Sequence, residues 1–470
     1  MTLRRPAEAP AFDVWQSARV AVDVAAATLA SPQSLEALRA ARLARLLVAA
    51  ARDSAFYRAV LKGRDPARVR LQALPITHRA ELMQRFDDWV TDPALRLAAL
   101  RRFTADPQRI GEPYLGRYTV WESSGSSGGA PGVFVQDAAS MAVYDALEAW
   151  RRPLLRPWQR LLDPWMLGER IAFVGATGGH FASTVSMARL QRLNPALAPG
   201  LHSVSFLQPA ASLAAELQAL APTVVATYPS AAVLLAEERI AGRLEIAPRE
   251  IWTGGEMLSS AMRLIIAQAF GCPVADSYGA SEFLSIASAC PQGHLHLNSD
   301  WVILEPVDAQ GQAVPCDQVP ATTLLTHLAN RVQPLIRYDL GDKVTLHSAR
   351  CACGSHLPVI EVQGRCDDAL RLGRAGQAAT PVLPLALTTV LEERADLFDF
   401  QLVQTGPNAV LLRTALGGAP GQAALRRARA VLTDFLAAQG APGVAIRCHA
   451  GEPARRSASG KIMRVMATVD

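Results

Sequence analysis

The chain is expected to be an α/β protein with a large N-terminal layered body and a small C-terminal α+β unit. Short β-rich runs separated by Gly and Ser alternate with helical stretches from about residue 117 onward, the pattern of a sheet with helices packed against it. The first hundred or so residues are Ala-, Leu- and Arg-rich with a helical period. After Gly364-Arg365-Cys366-Asp367-Asp368, two strands, a long amphipathic helix and a last strand form a self-contained set.

In chain order, Leu35, Leu38, Ala41, Leu43, Leu46 and Leu47 make a mostly helical stripe over 34–51. A second helix is expected from Thr77, with Glu81 near capping-box distance and Leu82, Phe86 and Trp89 following. Strands are expected at 117–121, 132–136, 170–174 and 223–227, with helices at 212–220 and 231–243 between or after them. In the tail a helix near 384–394 precedes strands 398–404 and 409–414. The helix over 422–438 puts Leu425, Ala428, Leu432, Phe435 and Leu436 on one face, which should pack on those strands, and a strand 444–448 follows. The expected division is 1–110, a mostly helical part of the large domain, 111–366, its α/β core, and 367–470, the small domain.

At 470 residues with 50% hydrophobic and 19% charged side chains, the chain can bury a sizeable core. A net charge of +5 gives no case for a polyanionic partner, so no nucleic acid is expected. No apolar run reaches the roughly 18 residues of a membrane span, and the start, Met1-Thr2-Leu3-Arg4-Arg5-Pro6, lacks a signal-type segment. Seven unevenly spread cysteines do not form a secreted disulfide framework. A cytoplasmic protein is the expectation. Of 47 basic side chains only Lys62, Lys343 and Lys461 are lysines, so chemistry that needs a compact ammonium has three places to live. No Gly-Lys-Ser/Thr is present, which excludes a Walker phosphate loop, and the kinase motifs are missing as well.

The most informative stretch is Trp121-Glu122-Ser123-Ser124-Gly125-Ser126-Ser127-Gly128-Gly129-Ala130-Pro131-Gly132. Small residues let backbone approach a ligand, and successive N–H groups with serine hydroxyls can wrap phosphate oxygens. Gly125-Ser126-Ser127-Gly128-Gly129 also fits the Gly-x-Ser-x-Gly hydrolase elbow, but an elbow needs a helix after the serine, and Val133-Phe134-Val135 reads as a strand.

This loop resembles the phosphate loop of the adenylate-forming superfamily, which includes acyl- and aryl-CoA ligases, peptide-synthetase adenylation domains and luciferases. Other segments match in the superfamily's order. Ser277-Tyr278-Gly279-Ala280-Ser281-Glu282 is similar to its Tyr-Gly-x-Ser/Thr-Glu segment, and Arg337-Tyr338-Asp339-Leu340-Gly341-Asp342 to its Tyr-x-x-Gly-Asp segment. Gly364-Arg365-Cys366-Asp367-Asp368 resembles its hinge, and Ser459-Gly460-Lys461-Ile462-Met463-Arg464 its C-terminal lysine loop. Ser54-Ala55-Phe56-Tyr57, Leu74-Pro75-Ile76-Thr77 and the cysteines at 290, 351 and 353 are similar to the phenylacetate-CoA ligase-like branch and the related deazaflavin-adenylylating synthetases.

The resemblance implies ATP-dependent activation of a carboxylic acid as an adenylate, then transfer to coenzyme A, with a mobile C-terminal lid. It implies that Ser123, Ser124, Gly125, Ser126, Ser127 and Gly128 hold the β- and γ-phosphates, and that Glu282 helps bind Mg²⁺. Gly255 and Glu256, after Gly254, would meet the adenine edge. Tyr278, followed by Gly279, Ala280 and Ser281, would pack on its face, and Asp342 would accept the ribose hydroxyls. Arg365 would touch ribose or phosphate, Asp367 would be the hinge, and Lys461 would bridge the carboxylate and the α-phosphate. Cys290, His296, Cys351 and Cys353 would hold a structural Zn²⁺, with His294 the alternative to His296; Cys272, Cys316, Cys366 and Cys448 are then left to the core. His180, Phe181, Trp252 and Phe283 are candidate walls of the acyl pocket. The branch implies a small aromatic acid rather than a fatty acid, and suggests a homodimer. Rival readings are a carrier-protein thiol or a deazaflavin hydroxyl as acceptor, a non-catalytic nucleotide-binding protein, and a serine hydrolase at Ser127.

Overall fold

The computed structural model describes residues 11–123, 131–152, 158, 162–163, 166–363, 370–373, 379–397, 399–454 and 464–467. Helices α1 (Val14–Thr28), α2 (Pro32–Asp53) and α3 (Ala55–Val60) open the chain. The helix expected from Thr77 starts instead at Arg79, as α4 (Arg79–Gln84), and breaks at Arg85 before α5 (Phe86–Trp89). Thr77 cannot cap it, because its N–H donates to the Arg337 carbonyl and its own carbonyl accepts from Asp339 N–H, both at 3.0 Å. A tertiary bridge to Tyr338 has taken the backbone that a cap would need. Helix α6 (Leu97–Thr104) follows, then the antiparallel pair β1 (Thr119–Glu122) and β2 (Val133–Gln136), and α7 (Ala138–Arg151).

The centre of the body is a nine-stranded sheet among the described residues. Its parallel half comprises β3 (Ile171–Gly175), β4 (Leu201–Ser205), β5 (Val224–Thr227), β6 (Glu250–Gly254) and β7 (Val274–Ala280). The connecting helices are α8 (Ala182–Leu193), α9 (Ala210–Leu220), α10 (Pro229–Ile240) and α11 (Ser260–Phe270). Strand β3 lies between β4 and β5, so the strand order reverses beside it, and open α/β sheets bind ligands at the carboxyl ends of strands near such a switch. The sheet continues antiparallel through β8 (Phe283–Ala289), β9 (Leu295–Leu297), β14 (Val359–Gln363) and β13 (Lys343–Leu346). Strands β10 (Val302–Val307), β11 (Thr322–His327) and β12 (Tyr338–Asp339) form a second sheet.

The small domain is α+β, as expected. A pair of short strands, β15 (Leu370–Leu372) and β16 (Thr380–Val382), leads into α12 (Pro384–Ala395). Strands β17 (Gln401–Gly406), β18 (Ala409–Thr414), β19 (Ala445–Ala450) and β20 (Val465–Met466) make a sheet in the order β19-β18-β17-β20. Helix α13 (Gly418–Ala438) buries Leu425, Ala428, Leu432, Phe435 and Leu436 against it. Strand β17 begins at Gln401 rather than at 398, and just before it the Asp399 carboxylate accepts the Ala415 N–H at 2.9 Å. No helix among the described residues is long and apolar enough to cross a membrane.

One buried ionic knot ties the N-terminal helices to the sheet. Asp300 is fully buried and receives Arg151 through two bonds of 2.6 and 2.9 Å, and Arg42 at 3.1 Å. Arg42 also donates to the Asp300 carbonyl, pairs with Asp23 and lies 3.5 Å over the Trp301 ring. Removing one partner of a buried pair strands the other charge. Asp300→Ala, which strands the Arg151 guanidinium and removes one of the bonds of Arg42, is expected to cost about 3–5 kcal/mol in urea denaturation; a loss under about 1 kcal/mol would show that the knot contributes little.

Candidate active site

The carboxyl ends of β3, β5, β6 and β7 open into a cavity of about 2780 Å³, larger than the roughly 300–1,000 Å³ of a single-ligand pocket. Strands β7 and β8 meet at a two-residue tip, Ser281-Glu282, since Ala280 pairs with Phe283. A side chain at Gly279 would put its Cβ 1.9 Å from the Leu284 carbonyl, so only glycine allows this hairpin. The Trp121 indole N–H donates to the Ser281 carbonyl at 2.8 Å and fixes the tip against β1.

Two tyrosines cross-link the two motifs. Tyr278 Oη donates to Asp342 at 2.8 Å, and Tyr338 Oη donates to Glu282 at 2.8 Å. Burial pushes the Glu282 carboxyl above the usual carboxylate range, against the Tyr338 bond. Burial, then the Asp342 charge, lifts the Tyr278 phenol well above its ordinary value, so it stays a donor. All four residues line the cavity, together with Ala280, Ser281 and Gly279. One oxygen of Asp342, Oδ2, is thus engaged.

Ser123 also lines the cavity, where its hydroxyl accepts the Gly132 N–H at 2.8 Å while its own N–H donates to the Gly132 carbonyl. It clamps the mouth of the loop, which joins two paired antiparallel strands; the strand-then-helix setting of a hydrolase elbow is not there. Ser124, Gly125, Ser126, Ser127, Gly128, Arg365, Cys366, Asp367 and Lys461 lie outside the described residues. Arg464, three residues after Lys461 in sequence, lines the cavity, pairs with Glu392 at 2.5 Å and lies over Phe400.

Gly255 has φ +79° and the Tyr228 ring sits 2.9 Å from where its Cβ would be. Glu256 accepts from the Ser230 N–H and hydroxyl at 2.9 and 3.0 Å, serving an orphan donor at the start of α10. Trp252 and Phe181 line the cavity. Phe283 does not: it is fully buried against Tyr144 and His327 in the core, since it follows the tip on the strand's inner side. His180 is buried against Phe103, with ring centroids 5.5 Å apart, while its neighbour Phe181 takes the cavity side. Cys316 is exposed in the loop before β11 rather than in the core.

Sequence reasoning passed over two cavity residues. Asp276 lies two positions before Tyr278 on the same face of β7, a parity visible in the sequence once the strand is placed. Burial pushes it up to about 6, against a 2.7 Å bond from Thr253 and the charge of Arg263. Arg79, at the start of α4, lines the cavity, and its charge acts on both Glu282 and Tyr338.

Away from the tyrosine–carboxylate pairs, Cys290, His296, Cys351 and Cys353 place their ligand atoms within 4.8 Å of one another. Bonds of about 2.3 Å to sulfur and 2.0 Å to nitrogen at tetrahedral angles separate two sulfurs by about 3.8 Å, and sulfur from nitrogen by about 3.5 Å. Cys290 and Cys351 sulfurs are 3.8 Å apart, and Cys353 Sγ is 3.4 Å from His296 Nε2. His296 Nδ1 meets the Leu357 carbonyl at 2.9 Å, so the proton sits there and Nε2 is left as a ligand. Burial also lowers the His296 pKa, favouring the neutral ring. The donor set fits a tetrahedral divalent ion, and His294 is not part of it.

The α/β body and small C-terminal α+β domain are also the fold of solved structures about 20% identical to the chain. The particular structures it is similar to include a 2-hydroxyisobutyryl-CoA ligase in complex with 2-HIB-AMP and CoA in the thioesterification state, at a TM-score of 0.54 and 20% identity, covering 94% of this chain and 91% of that one. The same ligase in the postadenylation state with 2-HIB-AMP gives a TM-score of 0.52 at the same identity and coverage. Protein CapK of Staphylococcus aureus is 25% identical over 171 residues, 36% of this chain and 36% of that protein, so the match spans about a third of that relative's length. No family model matches the chain.

Two outcomes follow from this geometry. Metal analysis of the purified protein is expected to give about one zinc per chain, falling below half in Cys353→Ser; fewer than half an equivalent in the wild type would remove the metal centre. Asp276, raised to about 6 from an ordinary 3.8, favours folding below the lower value and loses that contribution as pH rises through about 6. Asp276→Asn is therefore expected to stabilise the unliganded protein at pH 8 by at most roughly 3 kcal/mol, with the gain shrinking towards pH 4. Urea titrations at several pH values check this, and a pH-independent gain would overturn it.

Proposed function

We propose that the protein activates a small carboxylic acid with ATP and passes the acyl group to coenzyme A. A carboxylate oxygen attacks the α-phosphorus, the bond to the β-phosphate breaks and pyrophosphate leaves. The thiol of coenzyme A then attacks the acyl carbon, and AMP departs. The observation that carries this reading is the reciprocal pairing of Tyr278 with Asp342 and Tyr338 with Glu282 in one cavity, on a fold like that of a ligase solved with an acyl-AMP and CoA.

Tyr278 would offer its ring to the adenine, and Asp276 and Asp342 would accept hydrogen bonds from the base and the ribose. Glu282 would hold Mg²⁺, which neutralises phosphate charge; a carboxylate that burial disfavours gains most from such a cation. Arg79 would add a fixed positive charge near the phosphates. The loop following Ser123 would cradle the β- and γ-phosphates, Lys461 would meet the forming acyl-phosphate bond, and Arg365 would touch the nucleotide as the small domain turns at Asp367. Cys290, His296, Cys351 and Cys353 would hold Zn²⁺ as a structural ion, all four positions being filled by protein.

Carboxylate-dependent ATP–pyrophosphate exchange tests the first half. Lys461→Ala and Glu282→Gln are each expected to lower it by about 10²-fold or more. Exchange at wild-type rate in either variant would remove the role given to that residue. Product mass with coenzyme A, a carrier protein or a deazaflavin supplied in turn identifies the acceptor, and no thioester with coenzyme A would overturn the second half.

A further inference from the structure

The cavity extends past the nucleotide-type residues into a polar end between α7 and α8. Asp145, Glu148 and Arg152 project from one face of α7 and its C-terminal cap, and Ala182 and Ser186 from the facing side of α8; all line the cavity. An ion pair from Arg189 to both oxygens of Asp145, each at 3.0 Å, locks the two helices together. Ser285, on β8 beside the Gly279 hairpin, donates to Glu148 at 2.8 Å. Arg152 is ion-paired with Glu148 and lies 4.3 Å over the Trp252 ring. Ser186 Oγ is buried with no hydrogen-bond partner among the described residues.

We infer that this end is a subsite for a hydroxyl group, and that the acid the protein activates is a hydroxylated aromatic carboxylic acid. The inference rests on the carboxylate-activation reading above. An orphan buried hydroxyl costs stability, and turned into the cavity that its residue lines, the Ser186 hydroxyl would gain from a ligand the partner it lacks among the described residues. Glu148 is a pure acceptor, Arg152 a pure donor and Ser186 either, so a group that both donates and accepts satisfies the set. The Glu148–Arg152 pair has no net charge. A second carboxylate on the substrate would face Glu148, an ammonium would face Arg152, and a bare alkyl chain would leave Ser186 and the ion pair dry and unserved. Phe181, Tyr228 and Trp252 supply flat apolar walls to the same space, which suits a ring. A site built to bond a hydroxyl discriminates strongly against an analogue that lacks it.

The test uses the full-length protein and acid pairs that differ by one hydroxyl, such as phenylacetate with 4-hydroxyphenylacetate and benzoate with 3- or 4-hydroxybenzoate, together with hexanoate and terephthalate. Exchange kinetics are expected to give the hydroxylated member of the best pair at least about tenfold higher kcat/KM. Ser186→Ala should shrink that within-enzyme ratio at least about fivefold, a readout that general damage to folding cancels. Glu148→Gln leaves Arg152 unpaired and should raise the terephthalate-to-benzoate ratio. Exchange that runs equally well on the unhydroxylated acids or on hexanoate, or a ratio unmoved by Ser186→Ala, overturns the subsite and leaves adenylation standing. The shift in Tm produced by each acid alone separates the remaining cases. If no acid supports exchange but the hydroxylated one still raises Tm in wild type and not in Ser186→Ala, the subsite stands and the adenylation reading falls. If neither response occurs, both fall.

Discussion

The site depends on a reciprocal exchange between two short segments some sixty residues apart. Each contributes one tyrosine and one carboxylate, and each tyrosine donates to the other segment's acid. In the first segment Tyr278 lies on β7 and Glu282 at the tip of the hairpin that Gly279 permits, and each is met by a side chain of the second segment. Burial disfavours the charge on Glu282 and the ionisation of both phenols. The second segment is anchored from behind: Arg337, in the left-handed region at φ +50°, donates to the Leu74 carbonyl at 2.6 Å, and Thr77 bridges Tyr338. Strain at such a position persists only where the surroundings over-determine it, and here they do.

Most of the architecture was legible because it follows from period. The alternation after residue 117, and the stripe Leu425–Leu436 in the tail, are burial patterns that the structure keeps. The Cys-x-Cys and its partners were legible as chemistry, but choosing His296 over His294 required knowing which face of β9 turns towards β14 and the Leu357 carbonyl. What failed was long-range. Thr77 looked like a cap because its competitor, Arg337, is 260 positions away in sequence. Phe283 and His180 stand beside motifs that suggest a wall, yet in each case the side chain points to the core and a neighbour faces the cavity. Arg79 and Asp276 carry no motif of their own; their place is a matter of which strand end and which helix start converge.

The scarcity of lysine also takes on a physical sense. Arg42, Arg151, Arg337 and Arg464 are all buried, and each uses the planar fork to satisfy more than one acceptor or to lie on an aromatic face. A point-charged ammonium could not reproduce these bonds. The fold uses arginine as structural mortar between elements distant in sequence.

The small domain meets the body through an apolar cluster and a few peripheral polar bonds. Among these are Arg371 to Glu237 at 2.6 Å and Gln439 to the Leu207 carbonyl at 2.7 Å. Arg371 and Glu237 are both substantially exposed, and such a pair contributes at most about 1 kcal/mol. The buried Arg464–Glu392 pair, by contrast, joins two parts of the small domain itself. Among the described residues, the buried ion pairs thus lie within each unit and an exposed one runs between them. Arg464, Leu385 and Thr388 are the small domain's contribution to the cavity lining, whereas Tyr278, Glu282, Tyr338, Asp342, Glu148, Arg152 and Ser186 all line it from the body.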